Sequence, residues 1–79
     1  MLTPEQIDLI DEKSASLQSL IQEKISNYNE LVAQAHTSLT SKNVEGAKAF
    51  LKAADGVQSE RDYYGALRNG LLSVKALLA

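Results

Sequence analysis

Ser41-Lys42-Asn43-Val44 is the one place where this chain clearly changes direction, and it divides the sequence into two apolar-periodic arms of almost equal length. A polar turn followed by a good helix N-cap between two long helical patterns predicts an all-α fold, an antiparallel helical hairpin. Asn43 is the expected N-cap of the second helix.

The arm before the turn opens on Thr3-Pro4-Glu5-Gln6. This is the S/T-x-x-E/Q spacing of a capping box, with proline at the first helical position and Leu2 and Ile7 at the two staple positions. A helix is therefore expected to start at Pro4. From there Ile7, Ile10, Leu17, Leu20, Ile21, Ile25, Tyr28, Leu31, Val32, Ala35 and Leu39 recur at three- and four-residue steps, one stripe of a helix and not an alternating strand. Ser14 falls where that stripe expects an apolar residue, and the weak helix formers Ser26-Asn27-Tyr28-Asn29 predict curvature or a kink there, not a break.

After the turn, Ala47, Phe50, Leu51, Ala54, Val57, Tyr64, Leu67, Leu71, Val74 and Leu78 follow the same spacing. Gly56 leaves two readings open. Either the helix runs through it, or it ends there and Ser59-x-x-Asp62 caps a third helix.

The 79 residues are expected to form a single domain, 1–79. The chain is 44% hydrophobic and 23% charged, the composition of an ordered protein. It contains no cysteine, which removes disulfides and thiolate chemistry and suits a reducing cytoplasm. No apolar run is long enough to span a bilayer, and the first residues lack the pattern of a signal peptide, so the mature protein is expected to start at Met1. The net charge is -2, but the first arm through Ser41 carries six carboxylates against Lys13 and Lys24, whereas the remainder carries six basic residues against four acidic ones. That asymmetry suits two antiparallel helices and argues against binding double-stranded nucleic acid, which needs a clustered positive face.

Catalytic chemistry has little to work with. His36 is the one histidine, and Ser14, Thr37 and Ser38 have no evident base. Asp8, Asp11 and Glu12 read as charges favoured by the positive end of the helix dipole, because they lack the loop geometry of a calcium site. No cofactor or metal is expected.

The segment from Arg61 to Gly70 concentrates two tyrosines, both arginines and two glycines. Arg61, Tyr64 and Arg68 follow i, i+3, i+7 spacing, which sets an aromatic ring between two guanidinium groups on one side of the helix, as stacking on a base and pairing with phosphate require. The alternative is structural pairing. With the turn centred near Lys42, residues whose numbers sum to about 84 face each other. This puts Arg61 near Glu23 and Lys75 near Asp8 or Asp11, and it leaves Arg68 opposite Ser16, with Glu12 a turn away, as the arginine least well matched within one hairpin.

Each arm of about 35 residues spans roughly 52 Å, and two such rods touch along one seam that encloses no core. Leu9, Leu72, Leu77 and Ala79 lie off the main stripes, and the end from Leu71 to Ala79 is apolar on most sides. The hairpins are therefore expected to form a homo-oligomer, a helical bundle with Leu71, Leu72, Val74, Leu77 and Leu78 at the interface.

Val44-Glu45-Gly46-Ala47-Lys48-Ala49-Phe50-Leu51-Lys52-Ala53-Ala54 resembles the second helix of a tetratricopeptide unit, with small residues where helices approach closely. No second copy exists to stack into a solenoid, so the resemblance implies helix-on-helix packing and nothing about peptide binding. In size and predicted architecture the chain is similar to the phage-encoded sponges that sequester cyclic nucleotide immune signals in pockets between subunits, with no motif matched residue by residue. That similarity implies ligand contacts at Arg61, Tyr63, Tyr64 and Arg68, with Tyr28 and Lys24 contributed from a neighbouring helix. The primary expectation is a non-enzymatic, oligomeric helical interaction protein, a small regulator or inhibitor that binds a partner surface. The alternative is a sponge for a small anionic ligand such as a cyclic nucleotide.

Overall fold

The computed structural model describes residues 1–78 and is a hairpin of two helices, α1 (Pro4–Thr40) and α2 (Val44–Leu78). Ala79 lies outside the described residues.

The caps explain where each helix starts and stops. Gln6 N–H donates to Thr3 Oγ1 at 3.2 Å, and Thr3 N–H donates to Gln6 Oε1 at 2.9 Å, completing the capping box. At the other end of α1, Lys42 N–H donates to Leu39 O at 3.0 Å and Asn43 N–H to Ser38 O at 2.7 Å, the paired bonds of a Schellman stop. That motif needs a left-handed residue, and Lys42 supplies it with φ 64° where glycine is the usual choice. Asn43 then turns from stop to start. Its Oδ1 accepts from Gly46 N–H at 3.0 Å, capping α2 three residues after the last residue of α1.

Neither helix breaks. α1 passes through Ser26–Asn29 and α2 through Gly56, so the three-helix reading is excluded. Tertiary packing outweighs the weak local propensity at both places.

Buried and half-buried residues mark the seam. On α1 they include Ile7, Ile10, Ser14, Leu17, Ile21, Lys24, Tyr28, Leu31, Ala35 and Ser38; on α2 they include Ala47, Phe50, Ala54, Val57, Arg61, Tyr64, Arg68, Leu71 and Lys75. Both series alternate steps of three and four, the heptad spacing of a coiled coil. Two ion pairs set their register. Lys24 Nζ lies 2.7 Å from Glu60 Oε2, and Lys75 Nζ lies 2.6 Å from Asp11 Oδ1. The residue numbers of these pairs sum to 84 and 86, and a register midway between them sets large residues level with small ones, Phe50 with Ala35, Leu31 with Ala54 and Leu71 with Ser14, an alternation that suits close approach of the helices. Ala35, Ala47 and Ala54 are each 2% exposed, and Ser14 is 6% exposed.

The register corrects several expectations. Lys24 opposes Arg61, so Arg61 does not reach Glu23; its Nη2 turns to the neighbouring Asp62 Oδ1 at 3.3 Å. Val32, Leu39, Leu51, Leu67 and Val74, expected on the packed stripes, are exposed, because a heptad seam is narrower than the apolar periodicity that signals it. At the open end of the hairpin, Leu2 N–H donates to Leu78 O at 2.8 Å and ties the N-terminus to the last turn of α2. The whole measures 59 × 14 × 12 Å, with a radius of gyration of 17.7 Å against about 12 Å for a compact chain of this length.

Candidate functional site

The polar residues singled out by sequence divide between the seam and the outside. Lys24 and Tyr28 on α1 and Arg61, Tyr64 and Arg68 on α2 all occupy seam positions and are half-buried. Tyr63 points away from them and is 62% exposed, with its ring centroid 5.8 Å from that of Tyr64 at an interplanar angle of 57°. The structure thus brings Lys24, Arg61 and Tyr64 to neighbouring layers and leaves Tyr63 apart.

Charge in these layers is compensated locally. Glu60, bonded to Lys24, raises the lysine above its ordinary pKa of 10.5, and partial burial opposes that rise without reversing it. Arg68 has no ion pair among the described residues, and its Nε is buried without a hydrogen-bond partner. The hydroxyl of Ser14 is buried in the same unpaired state. Seam positions hold such residues because long aliphatic stems can lie along the partner helix while the charged heads reach for its flanks.

Beside the seam, one face of the hairpin carries an apolar groove of about 650 Å³, lined on α1 by Leu17 and Leu20 and on α2 by Leu67, Gly70, Leu71 and Val74. A Cβ added at Gly70 would meet nothing within 4 Å, so the groove floor is open there. Of the residues expected at an oligomer interface, Val74, Leu77 and Leu78 are exposed, with Leu77 82% exposed, whereas Leu71 and Leu72 are half-buried.

The apolar periodicity of α2 runs over the groove and the seam together. A signal that separates them is present: along α2 a second heptad series runs outside the first, and only one of the two can face α1.

Among the described residues no group of three or more His, Asp or Glu side chains is placed to hold a metal ion, and no helix is long and apolar enough to cross a membrane. The chain matches no protein-family model, no curated protein and no solved structure in comparisons with each.

Proposed function

We propose that the protein is a non-enzymatic helical interaction protein whose hairpins self-associate into a bundle of four or more helices and which acts by occupying a partner's surface. The observation that supports this is the uncovered apolar face: the groove between Leu20 and Leu67 continues into exposed Val74 and Leu77 toward the open end. Exposed apolar surface of this continuity is a mark of association sites. Sedimentation velocity at micromolar concentration tests the first step. A species of two or more chains is expected, and a monomer across the concentration range overturns the reading.

One observation favours a second reading, a sponge for a small anionic ligand. Arg68 holds a guanidinium without an anionic partner, and its chain neighbour Leu67 lines the groove. A phosphate entering beside the groove would supply the missing partner. Calorimetry against a panel of cyclic and linear nucleotides decides it. Binding that Arg68→Met abolishes supports the sponge, and the absence of heat across the panel removes it.

A further inference from the structure

We infer that the outer stripe of α2 is the contact between two copies of the chain, paired antiparallel about a two-fold axis level with Gly65. This rests on the reading of the hairpin as self-associating and specifies which surface meets which.

The stripe has two unlike halves. Ala49, Ala53 and Gly56 form a small half near the turn, and Tyr63, Leu67, Val74 and Leu77 form a large half near the open end. All are exposed. With Glu60 and Gly70 they alternate steps of four and three, the spacing by which the other side of α2 already meets α1. The stripe lies roughly a quarter turn around the helix from the seam, the angle at which a helix serves as one corner of a four-helix bundle.

A stripe small at one end and large at the other is complementary to itself only when reversed. In the antiparallel pairing centred at Gly65, Ala53 meets Leu77 of the second copy, Gly56 meets Val74, Glu60 meets Gly70, and Tyr63 meets Leu67. Sliding by one heptad spoils the fit. One direction sets Ala53 against Gly70 and leaves a void, and the other crowds Tyr63 against Val74.

Two further observations agree with this pairing. A Cβ at Gly56 or Gly70 would meet nothing within 4 Å, as is also true of Gly65 off the stripe, so at these two positions the stripe has room for Val74 or Glu60 of a second copy. Glu60, the one charge on the stripe, is held by Lys24 at 2.7 Å and faces the residue with no side chain. The amount of surface is also suitable. The chain exposes 5598 Å², against about 4,700 Å² for a compact monomer of its mass. The excess, about 900 Å², reflects the rod shape of the hairpin as a whole, and a standard interface of about 800 Å² per partner would remove a surface of that order.

The chain has no cysteine, so introduced thiols report on this contact alone. Gly56→Cys and Val74→Cys chains are oxidised separately and as a mixture. Ala53→Cys with Leu77→Cys forms a second pair, and sedimentation of the wild type and of each variant runs in parallel. Disulfide-linked dimers are expected in each mixture and not in either variant alone. Gly70→Glu, which the hairpin accommodates, is expected to weaken association at least about tenfold by setting one carboxylate against another. Oligomers that give self-linked Gly56→Cys, or no disulfide in either mixture, overturn the antiparallel α2 contact while leaving self-association intact. A monomeric wild type overturns both.

Discussion

Lys24 and Glu60 form an ion pair of 2.7 Å across the seam, and it lies beside the layer in which Lys24 and Arg61 would otherwise face each other as like charges. Glu60 answers for Lys24, and Asp62 answers for Arg61. The two acids that flank Arg61 on α2 therefore compensate a doubly basic layer of the hairpin.

The raised pKa of Lys24 fixes a pH dependence. A lysine whose folded pKa lies above its unfolded value contributes fully to stability below 10.5 and loses that contribution as pH rises through the folded value. Urea midpoints between about pH 9 and about pH 12 should fall more steeply for the wild type than for Lys24→Gln. Equal slopes would show that the pair adds nothing to stability in this range.

Lys42 adopts a left-handed conformation that glycine takes without steric cost. Lys42→Gly should raise stability by up to about 1 kcal/mol, less the extra freedom that glycine gains in the unfolded chain. A lower urea midpoint for the variant would count against the Schellman stop.

Two helical glycines should respond oppositely to alanine. Gly56→Ala meets open space in the hairpin and should stabilise the monomer by about 0.5–1 kcal/mol. Gly46→Ala would bring a Cβ to 2.5 Å from Asn43 Nδ2 and displace the cap of α2. Loss of that cap costs about 1 kcal/mol, which cancels or exceeds the gain in helix propensity. Thermal unfolding of both variants under dilute, monomeric conditions checks the contrast.

Ala54 opposes Leu31 at a point of close approach. Ala54→Leu should destabilise by about 1–3 kcal/mol through overpacking, visible as a lower urea midpoint. An unchanged midpoint would mean that the helices can part without loss.

Arg68 keeps a buried Nε without a partner. Arg68→Met preserves the aliphatic stem and removes the unpaired group, so denaturation should show unchanged or greater stability. A loss of about 1 kcal/mol or more would indicate that the guanidinium has a stabilising partner in solution.

The ends of the helices were legible because their causes are local. Thr3 and Gln6, or Asn43 and Gly46, lie three residues apart, and a cap formed within one turn depends on little else. The Lys75–Asp11 pair was likewise readable from the position of the turn. Arg61 was not, because the register set Lys24 opposite it and left Glu23 out of reach.

Ser41-Lys42-Asn43-Val44 and the two heptad patterns by themselves determined an antiparallel hairpin of two helices, since hydrogen bonding within a turn and apolar spacing are properties of the chain in order. Which residues of the apolar pattern on α2 meet α1 was decided only by the tertiary structure: Ala47, Phe50, Ala54, Val57, Tyr64 and Leu71 do, whereas Leu51, Leu67 and Val74 stay exposed. Both stripes of that helix have heptad spacing, and the one carrying Arg61, Arg68 and Lys75 looks the less apolar. It nevertheless forms the seam, because its alanines let the backbones approach and its long side chains carry their charge to the edge. The more apolar outer stripe is thereby left exposed, and what covers it is the question the thiol pairs answer.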